Sequence, residues 1–224
     1  MTKYQVMVFD VNETLSDMAP MGQRFADVGA PSHLAKLWFA TLLRDGFALT
    51  AAGGQEQFSV LGDRALRGVL TGTSLDRDLD DAVSHVLSGF GSLELHPDVA
   101  DGVRQLRAAG LRLVTLTNGA VQVAQGLFER GGIRDEFEAL LSVEDAPAWK
   151  PALAAYEYAA EFCGVPITEM LLVAVHPWDI DGAARAGMGT AWINRTGLPY
   201  PDYFTAPTFT VTTLPELAEA LAAG

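Results

Sequence analysis

Tyr4-Gln5-Val6-Met7-Val8-Phe9-Asp10, followed by Val11-Asn12-Glu13-Thr14-Leu15, is an apolar run that ends on a carboxylate. A run of this kind reads as a strand buried on both faces, the pattern of a parallel sheet. In an open parallel sheet, ligands bind outside the carboxyl ends of the strands, so Asp10 stands where chemistry is done rather than where a core is packed. The alternative, an ordinary turn or helix-cap aspartate, has to be weighed against the rest of the chain.

Beyond about residue 97 apolar strand-like runs alternate with helical patterns. Strands are expected at Leu111 to Leu116, Ala139 to Val143, Leu171 to Val175 and Thr190 to Asn194. Helices are expected at Asp98 to Ala109, Val121 to Arg130, Ala152 to Cys163, Ile180 to Ala186 and Leu214 to Ala223. Such alternation predicts an α/β fold, a parallel Rossmann-like sheet with helices on both faces. Residues 18 to 90 differ: four helical stretches, Met18 to Val28, Ser32 to Asp45, Gln55 to Leu70 and Leu75 to Leu87, are separated by Gly-Ala-Pro, Ala-Ala-Gly-Gly and Thr-Gly-Thr breaks. The expected organisation is a core of residues 1–15 and 91–224 with a helical cap, residues 16–90, inserted after the first strand. A block inserted there sits over the edge that carries Asp10.

At 224 residues the chain can bury one large core plus a small insertion, and 49% hydrophobic with 19% charged residues is globular composition. A net charge of −13 with no compensating Lys/Arg cluster argues against nucleic acid and anionic lipid as partners. An anionic substrate therefore needs single, local cations. Cys163 is the only cysteine, which excludes an intramolecular disulfide framework and fits a reduced, cytoplasmic setting. The apolar run before Asp10 is too short for a signal-peptide core or a membrane span.

If the sheet is parallel, four strand ends meet at one edge. They bring Asp10, Thr117-Asn118-Gly119, Lys150 and His176-Pro177-Trp178-Asp179 together, a set that suits a nucleophilic site. Each has a plainer reading as well. Thr117 can cap the helix that begins near Val121, and Lys150 can be a solvated loop lysine. Arg44 can be a flank arginine whose stem covers core surface. Trp178, Phe39, Phe47 and Phe58 can be plain core, and the phenylalanines are left out of the candidate site.

In this order, Asp on the first strand, Leu116-Thr117-Asn118-Gly119, Trp149-Lys150-Pro151 and an acidic motif after the fourth strand, the chain resembles the haloacid dehalogenase superfamily of hydrolases over nearly its whole length. Leu42-Leu43-Arg44, Trp178-Asp179 and Trp192-Ile193-Asn194-Arg195-Thr196-Gly197 resemble its (S)-2-haloacid dehalogenase branch. The resemblance implies a two-step hydrolysis without cofactor or metal. Asp10 attacks C2 of a short 2-haloalkanoic acid to give an ester and halide, and water then hydrolyses the ester. It implies that Lys150 keeps Asp10 ionised, that Asp179 orients Lys150 or the water, and that Arg44 binds the substrate carboxylate or the leaving halide. Asn12, Thr117, Asn118 and Trp178 are the implied substrate-binding residues. Members of the family are often dimers, so a homodimer is an open expectation.

Most members of the superfamily are magnesium-dependent phosphatases, and two positions argue against that chemistry here. Asn12 stands where they carry the acid that protonates the leaving alcohol, and an amide cannot do so. Val175 stands where they carry a magnesium-binding carboxylate. Asp181 is the nearest substitute, though it reads better as a first-turn helix acid. A halide departs as a stable anion and needs neither part. The branch match is itself incomplete: Asn12 replaces the usual tyrosine, Glu13 the usual glycine, and Ala174-Val175-His176 the usual Ser-Ser-Asn. His176 can take over water activation as a neutral imidazole beside Asp179, or be a loop histidine held by Pro177. Two other readings stay open: a phosphatase for a small phosphomonoester, and a catalytically weak binding protein on the same fold.

Overall fold

The computed structural model describes residues 3–223. Its six strands are β1 Val6–Phe9, β2 Arg112–Thr117, β3 Ala139–Ser142, β4 Met170–Ala174, β5 Gly189–Ile193 and β6 Phe209–Val211. They form one sheet in the order β3-β2-β1-β4-β5-β6, with every neighbouring pair parallel. The expected α/β class is what the chain adopts.

Alternation in β1 explains why its sequence is apolar throughout. Val6 and Val8 enter one core, while Met7 and Phe9 enter the other, across the sheet. The second core is closed by α5 Val99–Ala108, α6 Val121–Arg130 and α9 Leu214–Ala223. The first is closed by α7 Leu153–Cys163 and α8 Pro177–Ala186 and continues into four helices, α1 Met21–Ala26, α2 Leu34–Ala51, α3 Phe58–Leu70 and α4 Leu79–Gly91. No helix among the described residues is long and apolar enough to cross a membrane.

The four helices pack on one another around Trp38, whose ring meets Phe25, Phe39 and Phe90. The chain runs out to them and back side by side: Ser16 and Leu95 form an isolated antiparallel bridge, Asp17 N–H donates to Glu94 O and His96 N–H to Leu15 O. Trp149, in the loop after β3, ties the helices to the sheet. Its ring stacks on Phe58 at 6.0 Å, and its indole N–H donates to Glu56 O at 3.1 Å.

Three elements differ from the sequence reading for physical reasons. Helix α2 runs through Gly46 to Ala51 instead of stopping at Asp45, because Trp149 packs directly on Gly46; a Cβ there would lie 2.4 Å from the indole ring. Packing overrides the low helix propensity of glycine. Helix α8 begins at Pro177, which places Asp179 in its first turn and Asp181 beyond it. Strand β6 is short, and only its last residue, Val211, is buried, so its apolar signal is weak.

The strand order fixes where a site can form. From β1 the chain builds β2 and β3 on one side, then returns to place β4 on the other, so β1 and β4 flank the switch point. Asp10 leaves the end of β1, and its N–H still bonds Val173 O of β4 at 3.0 Å.

Candidate active site

Asp10 is 3% exposed, and each of its oxygens is spoken for. Oδ1 accepts from the Lys150 ammonium at 3.0 Å. Oδ2 accepts from the Thr14 hydroxyl at 2.6 Å and faces His176 Nδ1 at 3.0 Å. Burial alone pushes a carboxyl up, but the charges of Lys150 and His176 and the bonds from His176 and Thr14 outweigh it and hold Asp10 well below the ordinary carboxylate range. Asp10 is therefore a carboxylate at any pH near neutrality.

Lys150 is fully buried, and its ammonium also bonds Asp179 Oδ2 at 2.5 Å. Burial lowers its pKa; Asp10 and Asp179 raise it further than burial lowers it, so it stays charged. Asn118 aims this lysine: its amide oxygen accepts from Lys150 N–H at 3.0 Å, and its amide nitrogen donates to Lys150 O at 3.2 Å. The Asn118 side chain thus positions the lysine backbone, and the second hydrogen of its amide is not used by these bonds. Thr117, at the end of β2, accepts from Gly119 N–H at 3.0 Å and shapes the turn into α6.

Asp179 lies on the first turn of α8, fully buried, with Tyr156 of α7 donating to its Oδ1 at 2.7 Å and to its carbonyl at 3.2 Å. Burial and the nearby negative charge of Asp10 raise its pKa, against the pull of Lys150 and Tyr156. Tyr156 itself is held protonated by burial and by the Asp179 charge. Sequence reasoning passed over Tyr156 and Thr14. A hydroxyl on the buried stripe of α7 formed by Ala155, Ala159 and Cys163 was a usable signal, since a buried phenol needs a partner.

His176 is placed differently from expectation. Its Nδ1 meets Asp10, its Nε2 meets Glu13 Oε2 at 2.9 Å, and its ring stacks on Trp178 at 4.9 Å. No bond to Asp179 forms. Burial disfavours the charged ring, but the hydrogen bonds and charges of Asp10 and Glu13 push its pKa up to about 10. The expected neutral base beside Asp179 is corrected: with Asp10 ionised, His176 is an imidazolium between two carboxylates.

Arg44 is not brought to this cluster. Its side chain is 70% exposed and pairs with Asp45 at 2.8 Å, on the same helix face as Phe47. Phe47, one turn further on, does reach the site, and its ring meets Trp178 at 4.9 Å. Asn12 is buried against the turn after β2; a Cβ at Gly119 would lie 3.3 Å from its amide nitrogen. Val175 N–H donates to the Thr14 hydroxyl at 3.0 Å, so the residue after β4 contributes backbone only. Asp181 is held by Arg185 at 2.8 Å and by Thr205 at 2.7 Å, away from Asp10.

A carboxylate at the end of β1, clamped by a buried lysine that a second carboxylate orients, defines a hydrolase with a carboxylate nucleophile. Residues 4–187 match the haloacid dehalogenase-like hydrolases, and the chain belongs to that family. Haloacetate dehalogenase H-2 of Moraxella sp. (strain B) is 29% identical over 99% of this chain and 100% of that one. An (S)-2-haloacid dehalogenase of Pseudomonas putida is 31% identical over 99% of this chain and 98% of its own. Among solved structures, a dehalogenase crystallised with an intermediate complex superposes with a TM-score of 0.92 at 29% identity, covering 99% of both chains.

Proposed function

We propose that the chain hydrolyses short 2-haloalkanoic acids to 2-hydroxyacids and halide through an ester on Asp10. The observation that carries this reading is the Asp10-Lys150-Asp179 arrangement: an ionised, buried carboxylate with its ammonium partner in place and no proton donor at Asn12 for an alcohol leaving group. Dehalogenase relatives that match along their whole lengths support the substrate class.

In the first step an Asp10 oxygen forms a bond to C2 as the carbon-halogen bond breaks and the halide leaves with its electron pair. The substrate carboxylate fits the turn Thr117-Asn118-Gly119-Ala120, where the amino end of α6 favours an anion. Trp178 and Phe47 form the apolar wall beside it, with the four-helix block of residues 16–90 as the cap. Arg44 reaches substrate only if its guanidinium leaves Asp45. In the second step water adds to Cγ of the ester, with Asp179 as its base, and the bond between Cγ and the alkylated oxygen breaks.

This order of events places a solvent oxygen in Asp10. With stoichiometric enzyme, 2-chloropropionate and heavy-oxygen water, the Asp10 peptide should gain the label while the product hydroxyl of the first turnover does not. Product whose hydroxyl carries the label, with an unlabelled Asp10 peptide, would show direct attack by water and sink the ester.

A further inference from the structure

The hydrolysis proposed above releases one proton per turnover, and the site that generates it is closed in. Asp10 is 3% exposed, Lys150 and Asp179 are fully buried, and His176 is at 9%. Among the contacts of this cluster, one path of titratable groups leads outward. His176 touches buried Asp10 with Nδ1 and Glu13 with Nε2, and the Glu13 side chain is 42% exposed.

We infer that His176 and Glu13 are the proton outlet of the enzyme, an imidazole that accepts at Nδ1 from the Asp10 side and delivers from Nε2 to a carboxylate in contact with solvent. The inference rests on the dehalogenase reading of Asp10.

The proton balance follows from the two steps. Alkylation of Asp10 neutralises it, and halide leaves without a proton. Water then adds to Cγ, and one proton passes to Asp179. The bond from Cγ to the alkylated oxygen breaks, the leaving oxygen takes that proton to become the product hydroxyl, and Asp10 is left as a neutral acid. To return to a carboxylate it must lose a proton. While Asp10 is an ester, His176 lacks one of the two negative charges that hold its second proton, so the ring gives one proton to solvent by way of Glu13 and rests as the neutral tautomer whose Nε2–H donates to the Glu13 carboxylate; its free Nδ1 then accepts the proton of the neutral Asp10 acid. That transfer restores both the Asp10 carboxylate and the imidazolium, and the net export through Glu13 is one proton per turnover.

The local backbone is built to present Glu13 there. Glu13 has φ 62°, in the left-handed region that favours glycine, and is the one non-glycine residue found there among those described. Its carbonyl is held by His96 Nε2 at 3.0 Å and the next carbonyl, of Thr14, by Arg195 at 2.9 Å. The groups facing the His176 ring are thus Asp10, Glu13 and the Trp178 face, with Lys150 on the far oxygen of Asp10. His96 and Arg195 bond the backbone carbonyls of this loop rather than the ring, so the path has one inner and one outer end.

The test compares the parent with Glu13→Gln and Glu13→Gly; the glycine variant suits the left-handed backbone and keeps the experiment independent of folding. Halide release from 2-chloropropionate is followed in stopped flow at low buffer concentration and again in rising imidazole or formate. The first equivalent of halide should appear at the parental rate in both variants, because alkylation exports no proton. Steady turnover should fall about tenfold or more, as expected for loss of a positioned proton carrier, and small buffers should restore it in proportion to their concentration. Variants that turn over like the parent, or that slow without buffer rescue, overturn the outlet. Absence of halide release by the parent removes the dehalogenase reading and the outlet with it, which separates that failure from the first.

Discussion

Replacing Lys150 by methionine removes a fully buried ammonium while keeping most of its volume, so the consequence is electrostatic. Asp10 and Asp179 lose a partner at 3.0 and 2.5 Å, and both stay buried. Deleting one member of a buried ion pair costs about 3–5 kcal/mol, because the remaining charge is left uncompensated. The His176 ring still faces Asp10, so the larger change falls on Asp179, which keeps only the Tyr156 hydroxyl. Its pKa, already raised by burial, rises further. A raised carboxyl binds more protons folded than unfolded, so stability falls as pH rises through the folded value and is recovered on acidification. Asp10 in the parent behaves oppositely. The depressed Asp10 carboxyl contributes stability that is present above its ordinary value of 3.8 and is lost only as pH falls through the lower folded value. Urea unfolding of Lys150→Met should therefore show a loss of about 3–5 kcal/mol at pH 7.5 that shrinks toward pH 5, whereas Asp10 gives the parent no such slope in that window. A variant within about 1 kcal/mol of the parent at pH 7.5, with no gain on acidification, would refute the assignment of Lys150 as the charge that balances this site.

Two further outcomes follow from the same cluster. Tyr156→Phe leaves the packing of α7 intact but takes a charged-acceptor bond of 2.7 Å from Asp179, which should cost about 1.5–3 kcal/mol and slow ester hydrolysis more than halide release; unfolding within about 0.5 kcal/mol of the parent would count against it. His176, raised from 6.5 to about 10, contributes stability that is fully present below 6.5 and is lost as pH rises through about 10. Denaturant titrations between pH 7 and 10 should then show the parent losing up to about 1.4 kcal/mol per pH unit more than His176→Asn, and parallel curves would remove the ion pairs from the account.

What the sequence made legible is what one-dimensional patterns record. Both-face burial writes itself as an unbroken apolar run, so β1 and the position of Asp10 at its end could be read directly, and parallel alternation then brought Thr117, Lys150 and Asp179 to the same edge. What escaped depends on contacts between distant segments. The passage of α2 through Gly46 is decided by Trp149, far along the chain, and β6 shows too little apolar surface to announce itself. Side-chain satisfaction was equally hidden. The bonds that tie both ends of the Asn118 amide to the Lys150 backbone, and the pairing of Arg44 with Asp45, have no mark in the one-dimensional pattern.

His176 shows why proximity in sequence misleads at such a site. Asp179 is three residues away, which made the two look like a pair, yet His176 precedes α8 while Asp179 turns inward from its first turn to Lys150 and Tyr156. The imidazole instead meets the loop after β1, because parallel pairing sets the ends of β1 and β4 side by side. Glu13 and His176 read in sequence as two separate losses from the family pattern. In space they are one ion pair, and it closes on the nucleophile. A glutamate in a left-handed backbone position has no evident reason to be there alone, and a histidine buried against a single carboxylate would lack a route for its proton; each supplies what the other requires.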